Sequence, residues 1–415
     1  MTRCLLTICL LAPQGAGLFG HTTLSPAQLL ATARGAVSVK MEDKKSQYLS
    51  DHQRDLPWIN ELEVRTESNE FDWQQQEIAF RLQPNSKRSR QAQRQLQLAQ
   101  GLRQNAQTQL ALRKALKERY DLLVDHYFLP NLIGLHQQLQ LIHQDRIYLA
   151  QSPGNSRQLD VKALIASETD LHRENLQVLK LQQALDQNQY WLQQYTQRSD
   201  SLQMDRSELL NVQQVMALLG SANDSLLQQH PLLAEKQSRQ QVLQREYELE
   251  EARSAAQFNF LQAKYGGRNR DNFNEGFSIG AGFRLPFRGK DQLDLDELKL
   301  EKWEEGQEIR QTTHRLSLEK ELLQYQMQQQ YRSLRVLTQQ LATSPARQAI
   351  EQMGQIQGLD AETLLLAKEL LLEQELQILE HRYKIFRQYV DWLDISHVMT
   401  SQPLRNHLSA GAETF

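Results

Sequence analysis

Residues 258–287 (FNFLQAKYGGRNRDNFNEGFSIGAGFRLPF) interrupt a chain that otherwise reads as long, Gln-rich helix. Here the apolar period drops to two. Phe277, Ile279, Ala281, Phe283 and Leu285 point one way, and Ser278, Gly280, Gly282 and Arg284 the other. Leu261, Ala263 and Tyr265 alternate in the same manner with Phe260, Gln262 and Lys264. The glycine- and asparagine-rich GGRNRDNFNE between them suits a hairpin loop. Each strand has about the 9–11 residues that cross a bilayer when tilted. A second hairpin of the same design spans 58–83: Trp58, Leu62, Val64 and Thr66 alternate with Glu61, Glu63, Arg65 and Glu67, then Ile78, Phe80 and Leu82 oppose Glu77, Ala79 and Arg81.

Around the hairpins the pattern is helical. Ser25-Pro26-Ala27-Gln28 carries a capping box and a first-turn proline, opening a helix to about Asp51. A long helix is expected over 85–151, kinked at Pro130, followed by a turn at Ser152–Gln158 and a return helix over 160–195. After a linker, one helix opens at Pro231 and runs into the second hairpin at 258–287. A long helix over 292–355, a turn at Gly358 and a return helix over 360–397 follow, with 401–415 expected as a disordered tail. Residues 1–20 read as a secretory signal holding both cysteines, Cys4 and Cys9, which leaves no thiol chemistry in the mature chain.

The two halves repeat. Leu164, Leu171, Leu176, Gln177 and Leu179 recur as Leu364, Leu371, Leu376, Gln377 and Leu379, and Trp191-Leu192 recurs as Trp392-Leu393. The structural repeats are 25–200 and 207–400, each built as helix, hairpin, long helix, turn and return helix.

Net charge is −3 and mean hydropathy −0.62, which favours neither nucleic acid nor an anionic surface. No internal run approaches the ~18 apolar residues of a spanning helix, so any membrane role falls to the strands. Four strands cannot close a barrel, and lipid forbids an open sheet edge. Several copies must therefore share one barrel, which gathers the long helices into a hollow cylinder of coiled coils. The fold class is mainly α with membrane β-hairpins, an internally duplicated long-helix barrel plus four strands per chain. The competing reading is a secreted or periplasmic coiled-coil scaffold whose short sheets cap the helices.

The order of His230-Pro231-Leu232, Tyr265-Gly266-Gly267, the run Phe277–Phe287 and Gly358-Leu359-Asp360 resembles the TolC-like outer membrane efflux proteins, which include the outer-membrane components of heavy-metal efflux pumps. The resemblance covers roughly 25–400 and is clearer in the second half. It implies a homotrimer with a 12-stranded barrel in the outer membrane and a helical tunnel across the periplasm. It also implies an exit duct docked through a periplasmic adaptor protein to an inner-membrane pump, without catalysis or cofactor.

The resemblance further suggests a gate at the periplasmic tip, where Arg157, Asp160, Asp360 and Glu362 fall and three-fold symmetry would make each a ring. Asp160 and Asp360 are also suited simply to cap the return helices. Glu61, Glu63, Arg65, Glu77, Arg81 and Arg284 are expected to face the barrel lumen. Trp58, Trp73, Tyr265 and Phe277 suit an interfacial aromatic girdle or ordinary packing. His136 and His143 lie two helical turns apart without a carboxylate in register, so no metal site is expected. No phosphate loop and no nucleophile–base set is visible.

Overall fold

The computed structural model describes residues 23–52, 55–68, 76–151, 161–197, 203–204, 209–220, 228–255, 258–266, 277–283, 290–352, 361–411 and 413–415. In chain order the elements begin with β1 (Thr23–Leu24), α1 (Pro26–Ala31), a 3-10 turn (Thr32–Gly35) and α2 (Val37–Asp51). The first hairpin, β2 (Ile59–Ser68) and β3 (Gln76–Pro84), leads into α3 (Lys87–Gln151) and α4 (Val161–Thr196). Next come β4 (Gln203–Met204), α5 (Val212–Gly220) and α6 (Pro231–Ser254), then the second hairpin, β5 (Phe258–Gly266) and β6 (Phe277–Phe283). The chain continues as α7 (Lys290–Ala342), α8 (Pro345–Gln352) and α9 (Ala361–Ile395).

Local chemistry sets several helix ends. Ser25 accepts from the Gln28 backbone at 3.2 Å while the Gln28 side chain accepts from the Ser25 backbone at 3.3 Å, closing the capping box of α1. At α6 the imidazole of His230 accepts from the Leu232 N–H at 3.2 Å, and Pro231 fills the first turn, where its missing N–H costs nothing. Pro130 does not end α3, which runs on through it between buried Leu129, Leu132 and Ile133.

The body is built of two long continuous helices, α3 and α7, each flanked by shorter ones laid end to end. Alongside α3, on one side, α2 packs near the sheet, where the Gln104 side chain donates to the Glu42 carbonyl at 3.0 Å. Further out α4 takes over, Asn188 donating to the Leu122 carbonyl at 2.9 Å. On its other side α3 meets α6 near the sheet, where Ser89 donates to the Ala252 carbonyl at 3.3 Å, and α9 further out. Helix α7 then packs on both α6 and α9. At 1.5 Å per residue α3 is about 98 Å long.

One cluster of buried side chains fills the junction of α3 with α9, α5 and the C-terminal segment, including Tyr120, Leu123, Phe128, Phe386, Tyr389 and Trp392. Leu192 and Leu393 are both buried there, so the repeated Trp-Leu pair places its leucine inward twice. Trp392 is buried and Trp191 is not.

Two sequence expectations need correction. The segment 401–415, expected to be disordered, packs on the body: Leu404 and Leu408 are buried, Tyr120 Oη donates to the Arg405 carbonyl at 2.8 Å, and Leu210 N donates to Leu408 O at 2.9 Å. Spaced leucines among polar residues supply enough apolar area to hold it down. The long helix expected over 292–355 breaks after Ala342: Pro345 lacks an N–H and disfavours helical geometry at Ser344, and unlike Pro130 inside α3 it opens a new helix at its first turn.

Candidate functional site

The four long strands form one antiparallel sheet in the order β2-β3-β5-β6, although the hairpins are far apart in sequence. Partners across an antiparallel ladder share a face, so the register sorts the side chains. One face carries Leu62, Val64, Ile78, Phe80, Leu82, Leu261, Ala263, Tyr265, Phe277, Ile279 and Ala281. Among the described residues nothing covers it: Leu62 is 60 % exposed and Ile279 70 %, and Phe283 extends the patch at 70 %. An uncovered apolar face on this scale calls for lipid or a partner.

The other face gathers Glu61, Glu63, Arg65, Glu77 and Arg81. Arg65 Nε donates to Glu63 at 2.7 Å, Arg81 lies 3.9 Å from the same carboxylate, and Lys264 pairs with Glu77. Arg81 also stacks its guanidinium 3.8 Å above the Phe260 ring. That ring lies over Gly282, where an added Cβ would come within 2.2 Å of it. Only glycine fits under the ring. Arg284, Trp73, Arg157, Asp160 and Asp360 lie outside the described residues. Glu362 is exposed in the first turn of α9, where an acidic side chain complements the helix dipole.

Among the described residues no further strand pairs with the two edges of the sheet, β2 and β6. With each neighbouring pair antiparallel, β2 and β6 also run opposite ways, so β6 of one copy matches β2 of another in an unbroken up-and-down order. The helical row has matching ends. On α7, Leu293, Leu300, Leu318, Leu322, Tyr325 and Val336 are exposed and fall on one face at the helical period of 100° per residue. On α4, Val161, Ile165, Leu176, Leu179 and Tyr190 do the same. Both layers therefore stop at a left and a right end that differ, which is the condition for a closed ring of head-to-tail copies.

Towards the end of α3 furthest from the sheet, three helices meet around polar side chains. His136 Nδ1 donates to Glu174 at 2.6 Å, and Arg146 donates to Glu369 at 2.7 Å. His143, Asp170 and Glu369 bring their ligand atoms within 4.8 Å of one another. A search along one helix misses this group, since its members come from α3, α4 and α9. Burial, reinforced by the neighbouring Glu369 carboxylate, pushes the Glu373 carboxyl upward. No described helix is long and apolar enough to cross a membrane.

No family model and no curated protein matches the sequence. Solved structures do. The Neisseria gonorrhoeae MtrE outer membrane channel in its open state superposes with a TM-score of 0.64 at 12% identity, over 89% of this chain and 88% of that one. The Vibrio cholerae outer membrane protein VceC gives 0.60 at 12% identity, over 89% and 95%. CusC, described in terms of folding and transmembrane channel formation, gives 0.55 at 16% identity, over 91% and 92%. The chain has the TolC-like fold.

Within that TolC-like fold, sequence reasoning set Lys264, Phe260 and Gly282 on the polar sides of their strands but passed over their contacts, Lys264 with Glu77 and Arg81 with the Phe260 ring over Gly282. It also passed over the exposed stripes of α4 and α7. The 3.6-residue spacing was readable in both.

Proposed function

We propose that the chain is the outer-membrane exit channel of a tripartite efflux or secretion system, a passive homotrimeric duct without enzymatic activity. The observation that carries this reading is the four-stranded sheet, apolar and uncovered on one face, charged on the other, and open at two complementary edges. A strand edge in lipid must be paired. Two copies would give a barrel about eight strands round, filled by its own side chains, whereas three give twelve and leave a passage. The apolar stripes on α4 and α7 then meet between neighbouring copies, and the helices form a tunnel reaching into the periplasm. The structural likeness to outer membrane channels supports the same assembly.

In that assembly Glu61, Glu63, Arg65, Glu77, Arg81 and Arg284 line the lumen, where their mixed signs give weak ion selectivity. The helix tips carrying Arg157, Asp160, Asp360 and Glu362 form the periplasmic gate and face an adaptor protein and inner-membrane pump. Membrane fractionation, native mass measurement and planar-bilayer recording test the reading together. Expected are outer-membrane localisation, three chains per particle and discrete conductance steps. Removing the Asp360 and Arg157 charges together is expected to raise single-channel conductance. A monomer remaining in the aqueous fraction after ultracentrifugation would sink the channel and leave the secreted scaffold in its place.

A further inference from the structure

We propose that His143, Asp170 and Glu369 bind a divalent first-row metal ion of the zinc and cobalt class, which ties α3, α4 and α9 together. One imidazole and two carboxylates are a donor set such ions accept, usually with water completing four-fold coordination. The ligand atoms already lie within 4.8 Å of one another, and His143 Nδ1 is 3.8 Å from Glu369 Oε1. An ion with bonds of about 2.0–2.2 Å needs only small side-chain rotations to draw them in.

A second observation points to a ligand. His143 is 4 % exposed, and its Nδ1 is buried with no hydrogen-bond partner. An imidazole nitrogen left bare in an interior carries an uncompensated desolvation cost. This one faces the Glu369 carboxylate, and 3.8 Å is too long for a hydrogen bond. Arg146 holds Glu369 by its other oxygen, Oε2, at 2.7 Å, which orients the carboxylate and leaves Oε1 towards His143. Glu174 is engaged by His136, and Glu373 stands beside Glu369 as a further carboxylate. The internal repeat does not account for the group: the counterparts of Asp170 and Glu369 are Leu370 and Thr169.

The three ligands come from both repeats, α3 and α4 from the first and α9 from the second. A bound ion would therefore resist separation of the two helical hairpins. The site lies in the helical body and holds whether or not the sheet enters a membrane.

The test uses the full-length protein in detergent, stripped by chelator and titrated with Zn²⁺ by calorimetry and with Co²⁺ by visible absorption. One ion per chain is expected, with a rise in thermal midpoint on loading. His143→Gln and Asp170→Asn should each weaken Zn²⁺ binding at least tenfold and abolish the rise. Glu174→Gln, which touches only the neighbouring pair, should leave both unchanged. Asp170 sits at the more exposed corner of the group, so Asp170→Asn decides the matter even if His143→Gln does not fold. No saturable binding at one per chain, or equal affinity in Asp170→Asn, overturns the proposal and leaves a plain buried ion cluster.

Discussion

Arg113 grips Asp394 through two parallel hydrogen bonds, Nε to Oδ1 at 2.5 Å and Nη2 to Oδ2 at 2.7 Å. Asp394 is buried in the last turn of α9 beside Trp392, so the fork fixes that turn against the middle of α3. Lys117 adds a second tie to Asp391 at 2.7 Å. Removing Arg113 leaves the buried Asp394 carboxylate with only Lys117, 3.8 Å away, as a counter-charge. Arg113→Ala is expected to cost about 3 kcal/mol of stability, read from urea unfolding followed by circular dichroism. A loss below about 1 kcal/mol would mean the pair is no stronger than a surface bridge.

Gly282 and Phe260 should behave as one unit. Gly282→Leu drives a side chain into the ring that Arg81 stacks upon, and overpacking of this kind costs about 1–3 kcal/mol. Phe260→Ala should relieve most of that loss. Heat resistance of the detergent-purified assembly, measured for both single variants and the double, gives the coupling. Strictly additive effects would refute the contact.

The two sheet faces predict opposite outcomes for the same kind of substitution. Ile279→Lys, on the uncovered apolar face, should cost roughly 2–4 kcal/mol if it meets the bilayer midplane, and should deplete the protein from outer membranes. Ser278→Lys, one residue away on the charged face, should insert normally and change only conductance. Equal membrane yields would undo the assignment of faces.

Acid should weaken the helical body. Burial, with the nearby Arg113 charge, lowers the His230 imidazole from 6.5 to about 3, and burial, with Arg405, lowers His407 to about 4. Both stay neutral when folded, while the unfolded chain takes up protons below about 6.5. Their contribution is therefore complete above that pH. It is lost as pH falls from about 6.5 to about 4 for His407 and to about 3 for His230, at up to roughly 1.4 kcal/mol per pH unit for each group. His230→Asn keeps a helix-capping side chain but cannot titrate, so its thermal midpoint should fall less steeply over that range.

Strand alternation was legible because a half-exposed strand writes its two environments directly into a period of two, as Glu61, Glu63 and Arg65 against Leu62 and Val64 show. The cross-hairpin pairing of β3 with β5 was not, since no local pattern says that Arg81 should stand opposite Gln262. The helix break at Pro345 was written in the sequence and overridden by the leucine spacing around it. Packing of Leu404 and Leu408 escaped notice because two leucines in a polar tail gain meaning only beside Tyr120 and Leu210. The group at His143 is the extreme case. Its members are assembled entirely by tertiary packing, and separation along the chain hides them.

The unpaired β2 and β6 edges carry a kinetic consequence. In the proposed ring each subunit makes only an arc, so the step that seals the arcs depends on how often subunits meet. Insertion should accelerate steeply with expression level, faster than in proportion to it, while a dilute subunit waits beside the bilayer with its helices formed. Any factor that herds subunits together would then act as an assembly catalyst without altering a single contact.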